Sequence, residues 1–115
     1  MIKEKKDIQQ QVVENSGNIR GKIVKNHILT PEEMGGRAKM FARIDLPSGS
    51  MIADHDHTSD AEAYYILEGE ATVTDNGEER ILHPGDVVFT ADGNHHSIRN
   101  HTDRPAAFLA VILNS

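Results

Sequence analysis

The sequence predicts an all-β fold, an antiparallel sandwich or barrel, and three observations predict it. Apolar and polar residues alternate in short runs, as in Met40-x-Ala42-x-Ile44-x-Leu46, which is the period of a half-buried strand. Turn chemistry recurs at about 8–12-residue spacing, at Pro47-Ser48-Gly49, Asn76-Gly77, Pro84-Gly85 and Asp92-Gly93. Beyond residue 35 no stretch sustains the 3.6-residue period of an amphipathic helix.

Taken in order, residues 2–14 offer two readings. Ile8, Val12 and Val13 lie on one side of a helical turn, or residues 1–20 form a polar arm that is mobile or packs on a second subunit. Residues 22–29 and 39–46 read as extended. Between them, Thr30-Pro31-Glu32-Glu33 has the form of a helix N-cap with proline at the first position, stopped by Gly35-Gly36. Residues 51–57 follow as a strand, with Met51 and Ala53 expected on the face of His55 and His57. Residues 62–67 and 70–75 are strands joined by a tight turn at Gly69. Asn76-Gly77 tolerates the positive φ of a type I′ turn and so links 71–73 to 80–82 as a hairpin. Pro84-Gly85 fits the centre of a type II turn, and residues 87–89 and 95–100 are extended. Residues 107–113 read as a fully buried final strand, giving roughly nine strands in all.

The whole chain bounds the function. At 115 residues it is one domain with one core. It is 37% hydrophobic and 26% charged, with no apolar run long enough to cross a bilayer. The charged start is not followed by the apolar core of a signal peptide, so a cytoplasmic protein is expected. No cysteine is present, which excludes disulfides, thiolate metal sites and a cysteine nucleophile. A net charge of −6 without a basic block argues against nucleic-acid and membrane partners.

One stretch carries chemistry. His55-Asp56-His57, then Glu62, with His96 from a distant segment, supply three imidazoles and a carboxylate. That donor set suits a single borderline divalent metal, and residues i and i+2 of a strand share a face. His-x-His alone equally describes a solvated strand. His96 shares a face with apolar Ile98 and is expected inward, whereas His95 goes with Ser97 and Arg99 to the rim. Tyr64, two residues from Glu62 on the same face, is the candidate catalytic hydroxyl, with packing as its other reading; Tyr65 points the opposite way. Met40, Phe89 and Phe108 read as core, and Ile66 and Met51 as pocket wall. His27 could reach the pocket, His83 and His101 are expected exposed, and Asn100 closes a turn through its side chain. Arg20, Lys22, Lys25, Arg37, Lys39 and Arg43 concentrate positive charge on solvated faces. If Arg43 or Lys39 turned inward, an anionic substrate would be favoured.

The frame Gly49, five residues, His55-x-His57, four residues, Glu62, six residues, Gly69 resembles the first motif of the cupin family. Gly85, Gly93, His96 and Asn100 fall at the spacing of the second, with Ala91 where the family usually has proline. That departure touches a turn and no ligand. The resemblance implies an antiparallel double-stranded β-helix, the cupin jelly-roll barrel, over residues 21–115, with residues 1–20 as a short N-terminal arm. It implies His55, His57, Glu62 and His96 as ligands of one divalent transition metal (Mn, Fe, Ni, Co, Cu or Zn). It further implies a metal-dependent enzyme of dioxygenase or isomerase/epimerase type acting on a small oxygenated metabolite, or instead a non-catalytic module that binds or senses a small ligand or metal. A homodimer that exchanges its N-terminal strand is implied as well.

Overall fold

The alternation of inward and outward residues folds the described residues into eleven strands, each paired antiparallel. A computed structural model describes residues 1–114. The strands are β1 (Gln9–Glu14), β2 (Ile19–Arg20), β3 (Lys22–Leu29), β4 (Ala38–Leu46), β5 (Met51–Asp56), β6 (Asp60–Glu68), β7 (Ala71–Asp75), β8 (Glu78–Leu82), β9 (Val87–Thr90), β10 (His95–Arg99) and β11 (Ala106–Asn114). One sheet has the order β1-β3-β4-β11-β6-β9 and the other β2-β5-β10-β7-β8. The two face each other as a jelly roll, the fold that the motifs imply. Ile23, Ile44, Leu46, Ile66, Ile98, Tyr64 and Phe108 are fully buried between them. Among the described residues no helix is long and apolar enough to cross a membrane.

The turns form as their residues dictate. Asn76 and Gly77 take φ of 49° and 89° and close the β7–β8 hairpin with Asp75 opposite Glu78. Gly69 has φ 71°, and a Cβ there would lie 2.5 Å from the Pro105 carbonyl oxygen and 2.9 Å from the Ala106 Cα. Only glycine lets the β6–β7 corner close against the start of β11. Thr30 and Glu33 make a reciprocal capping box, Glu33 N donating to Thr30 Oγ1 at 3.1 Å and Thr30 N to Glu33 Oε1 at 2.8 Å. The capped segment makes one turn and ends at Gly35-Gly36. The Asn100 amide closes its turn as expected, donating to the carbonyls of Leu46 and Arg104.

Four expectations are corrected. The helical reading of residues 2–14 gives way to a 3-10 turn at Lys5–Asp7 and a strand, β1, paired along β3; Val13 packs against the core and Val12 faces outward. With β2, this raises the strand count from nine to eleven. Met51 and Ala53 do not share the histidine face. His96 pairs with His55 and Ile98 with Ile52, so β5 spends three residues where β10 spends two. That bulge shifts the phase, and Ile52 takes the inward place. The last strand is not fully buried: Ala106, Phe108 and Ala110 are, while Leu113 is exposed. Phe89 is not core but lies outside on edge strand β9, 55% exposed. With Tyr65, Val87 and Leu113 it forms an apolar row on the outer face of β6, β9 and β11.

Candidate metal centre

Three strands deliver the polar cluster to the interior. His55 comes from β5 and His57 from its end, where the His57 N–H donates to the Asn94 carbonyl at 2.9 Å. Glu62 comes from β6 and His96 from β10. His57, Glu62 and His96 are buried and His55 is partly so, and one potential ligand atom from each lies within 4.8 Å of the others. His96 Nε2 stands 2.9 Å from His57 Nε2, 3.0 Å from His55 Nε2 and 3.0 Å from Glu62 Oε1. His57 Nε2 to Glu62 Oε1 is also 3.0 Å.

The other ring nitrogens determine what faces inward. His55 Nδ1 is 2.8 Å from the Ala53 carbonyl, which can only accept. His57 Nδ1 is 2.7 Å from the Asp60 carboxylate. His96 Nδ1 is 2.8 Å from Thr90 Oγ1, whose one proton is donated to Asp75 Oδ1 at 2.6 Å, so toward His96 it too can only accept. Each Nδ1 therefore carries the hydrogen, and all three Nε2 lone pairs converge with the Glu62 oxygen. Lone pairs at this separation repel unless a cation lies among them. Two ligand atoms about 2.1 Å from one ion and at right angles to each other would be about 3.0 Å apart. The donor set fits a divalent metal.

Electrostatics agree. Burial pushes the Glu62 carboxyl up, but His55 and His96, which donate to it whenever their Nε2 takes up a proton, outweigh burial and hold it below the usual range. Burial pushes His55 down, but the Glu62 carboxylate and the Ala53 carbonyl outweigh it, leaving its pKa raised. Asp60 is opposed by its burial yet held low by Lys39 and His57, so it stays an anion behind His57.

Tyr64 points inward as expected. It stacks on the His96 ring at 4.6 Å and 14° and brings its hydroxyl 3.2 Å from His96 Nε2. Burial, then the Glu62 charge, pushes this phenol well above its ordinary value, so it remains a protonated donor. Tyr65 faces outward, 43% exposed. Beside the cluster opens a hollow of about 160 Å³, walled by residues that include Ile19, Met40, Ile52 and Phe108. Ile66 is core and Met51 is displaced by Ile52, so neither lines it. His95 lies at the rim against Asp54 and outside the cluster. His27 is bonded to Gln11 and does not line the hollow. Lys39 and Arg43 do not turn inward, pairing instead with Asp60 and with Asp45 and Glu68.

Sequence reasoning missed the groups that aim the imidazoles, Asp60, Thr90 and Asp75, and two lining residues, Asn18 and Lys25. A signal existed for Lys25. It is two residues from buried Ile23 on a strand and shares its phase.

Comparison with known proteins agrees with this geometry. A family model described as "Cupin domain" matches residues 42–112. The oxalate-binding protein of Thermotoga maritima is 38% identical over 113 residues, 98% of this chain and 93% of that protein. A crystal structure from the same organism, described as a predicted oxalate decarboxylase, superposes with a TM-score of 0.92 at 37% identity, all of both chains covered. The tetracenomycin polyketide synthase protein TcmJ of Streptomyces glaucescens is 32% identical over 74% of this chain and 57% of its own length. With the two motif frames, the jelly roll and the four converging donors on one barrel, the chain belongs to the cupin family.

Proposed function

We propose that the protein is a metal-dependent enzyme, of dioxygenase or isomerase type, that acts on a small oxygenated metabolite in the cytoplasm. The carrying observation is that Tyr64, a buried phenol kept protonated, brings its hydroxyl to the donor cluster at the floor of the hollow. His55, His57, Glu62 and His96 would hold one divalent transition ion, and right-angle donor spacing suits a six-coordinate ion with two positions left for ligand oxygens. When bound, the metal supplies Lewis acidity or a meeting place for substrate and dioxygen. The chain does the rest. Asp60, Thr90 and the Ala53 carbonyl keep the imidazoles in the ligating tautomer, the apolar walls exclude water, and Tyr64 holds a proton at its hydroxyl for substrate. A non-catalytic capture of a small carboxylate is the second reading, favoured by similarity over nearly the whole chain to a protein named for binding oxalate.

The two separate in one experiment. Protein reconstituted with iron or manganese is supplied with small oxygenated acids, with and without air. Turnover is expected, and Tyr64→Phe should retain the metal while slowing turnover by about 10²–10⁴-fold, the usual weight of a positioned proton donor. Turnover that needs air marks the dioxygenase, and turnover indifferent to air marks the isomerase. A ligand bound but never converted under any metal would establish the second reading.

We also propose a homodimer in which the barrel of residues 21–115 carries the four metal donors and the arm of residues 1–20 is the part exchanged. Strand β1 is an edge strand held only along β3, and the apolar row at Tyr65, Val87, Phe89 and Leu113 is open; surfaces of that kind are commonly covered by another protein. Light scattering at micromolar concentration should read twice the 12.7 kDa chain mass; a monomer would end the proposal.

A further inference from the structure

We propose that Lys25, with Asn18, recognises the far end of a small dianionic carboxylate held at the metal centre, and so selects dianions over monoanions. The inference rests on the metal site proposed above and names the ligand class that site would take. Lys25 lies on β3 opposite Ile44, in phase with buried Ile23, and lines the hollow together with His55, His57 and Glu62. Lys3, Lys39, Arg43 and Arg99 each meet a carboxylate, whereas Lys25 meets none among the described residues. Lys25 is partly buried, and with no carboxylate of its own its charge is free to meet an anion that enters the hollow.

Charge counting identifies that anion. Three neutral imidazoles, one carboxylate and a divalent ion leave one positive charge, and Lys25 adds a second. Among the described residues no other lysine or arginine lines the hollow. Burial, then the charges of Lys25 and Lys3, hold His27 below its ordinary pKa, so no further cation forms beside them near neutrality. A ligand with two negative charges is the neutral match.

Shape limits it further. Asn18 comes from the opposite sheet just before β2, its carbonyl accepting the Ala53 N–H at 2.7 Å, and it lines the same hollow as Lys25. Apart from the four donors, Lys25, Asn18 and the Tyr64 hydroxyl beside His96, the residues that line the hollow are apolar. The volume of about 160 Å³ is below the range of pockets that take drug-sized ligands. A compact dicarboxylate fits, with near oxygens toward the histidines and far oxygens toward Lys25.

The test is calorimetric titration of manganese-loaded wild type, Lys25→Gln and Lys25→Arg with oxalate and malonate as dianions and acetate as monoanion. Metal content is measured on the desalted protein after each titration. Lys25→Gln should lower affinity for at least one dianion by about 10-fold or more and for acetate by less than about 2-fold, with metal content unchanged, and Lys25→Arg should restore most of the loss. Dianion affinity unchanged in Lys25→Gln, an equal loss for acetate, or loss of metal from the variant overturns the inference. So does a wild type that holds manganese and binds neither dianion, a result that leaves the metal site standing. A wild type that takes up no metal overturns the proposed function and this inference with it.

Discussion

Alanine in place of His96 should strip the protein of its metal. His96 Nε2 lies within 2.9–3.0 Å of His57, His55 and Glu62 alike, so it is the donor that touches every other. Changing a group that merely orients a ligand commonly costs 10–100-fold in metal affinity; removing the ligand should cost at least about 100-fold. Elemental analysis of His96→Ala after dialysis should find less than about a tenth of the wild-type metal per chain. Thr90→Val, which takes the hydroxyl from behind His96, should fall between the two. A His96→Ala protein that kept its full metal content would mean that the ion sits elsewhere.

Acid should release the metal by the same route, because protons and metal compete for the same lone pairs. Raised pKa means that His55 takes up its proton above the ordinary histidine value. On acidification, affinity therefore begins to fall at a higher pH than an ordinary histidine would set, and keeps falling as the solution becomes more acidic. Glu62 is held below the ordinary range, so it stays ionised through that window and the early loss belongs to the imidazoles. Dialysis over a pH series, read by metal content, should show this order; full retention at about pH 4.5 would count against histidine ligation.

The strands and turns were legible because each rests on local chemistry. Asn76-Gly77 can adopt its positive φ without help, and Met40 to Leu46 alternate against one surface. The meeting of His55, His57, Glu62 and His96 was legible for a different reason, since the two glycine frames fix where the chain reverses around them. What escaped depends on neighbours remote in sequence. A single extra residue in β5 exchanged Ile52 for Met51 and Ala53, and no composition marks such a bulge. Gln9-Gln10-Gln11 has no strand pattern, yet the open edge of β3 recruits it. Phe89 looks like core, because an apolar residue on the outer face of an edge strand has no sequence mark to distinguish it. Asp60, Thr90 and Asp75 acquire their roles only when the imidazoles arrive. Lys25 is readable from the phase of Ile23, but a charged side chain on a strand reads first as a solvated one.

Alanine at Phe108 should be the most damaging single truncation of the core. Phe108 is fully buried, flanked by Ile44 and Ile66 on the neighbouring strands, and its ring meets that of Tyr64 edge-on at 4.7 Å. Truncating a buried phenylalanine costs about 3–5 kcal/mol, a large part of the roughly 5–15 kcal/mol that holds a domain of this size. Thermal unfolding of the metal-free protein should shift down by roughly 12–20 °C. The loss reaches the site through contact, because Phe108 walls the hollow and braces Tyr64, which in turn stacks on His96. Metal affinity should therefore weaken, but by less than in His96→Ala, since all four donors remain. Phe108→Leu, which leaves a smaller void, should recover most of the stability while still loosening Tyr64. A Phe108→Ala protein that unfolds within a few degrees of wild type would mean that the two sheets do not close on this ring, and the brace behind the metal centre would have to be sought on another strand.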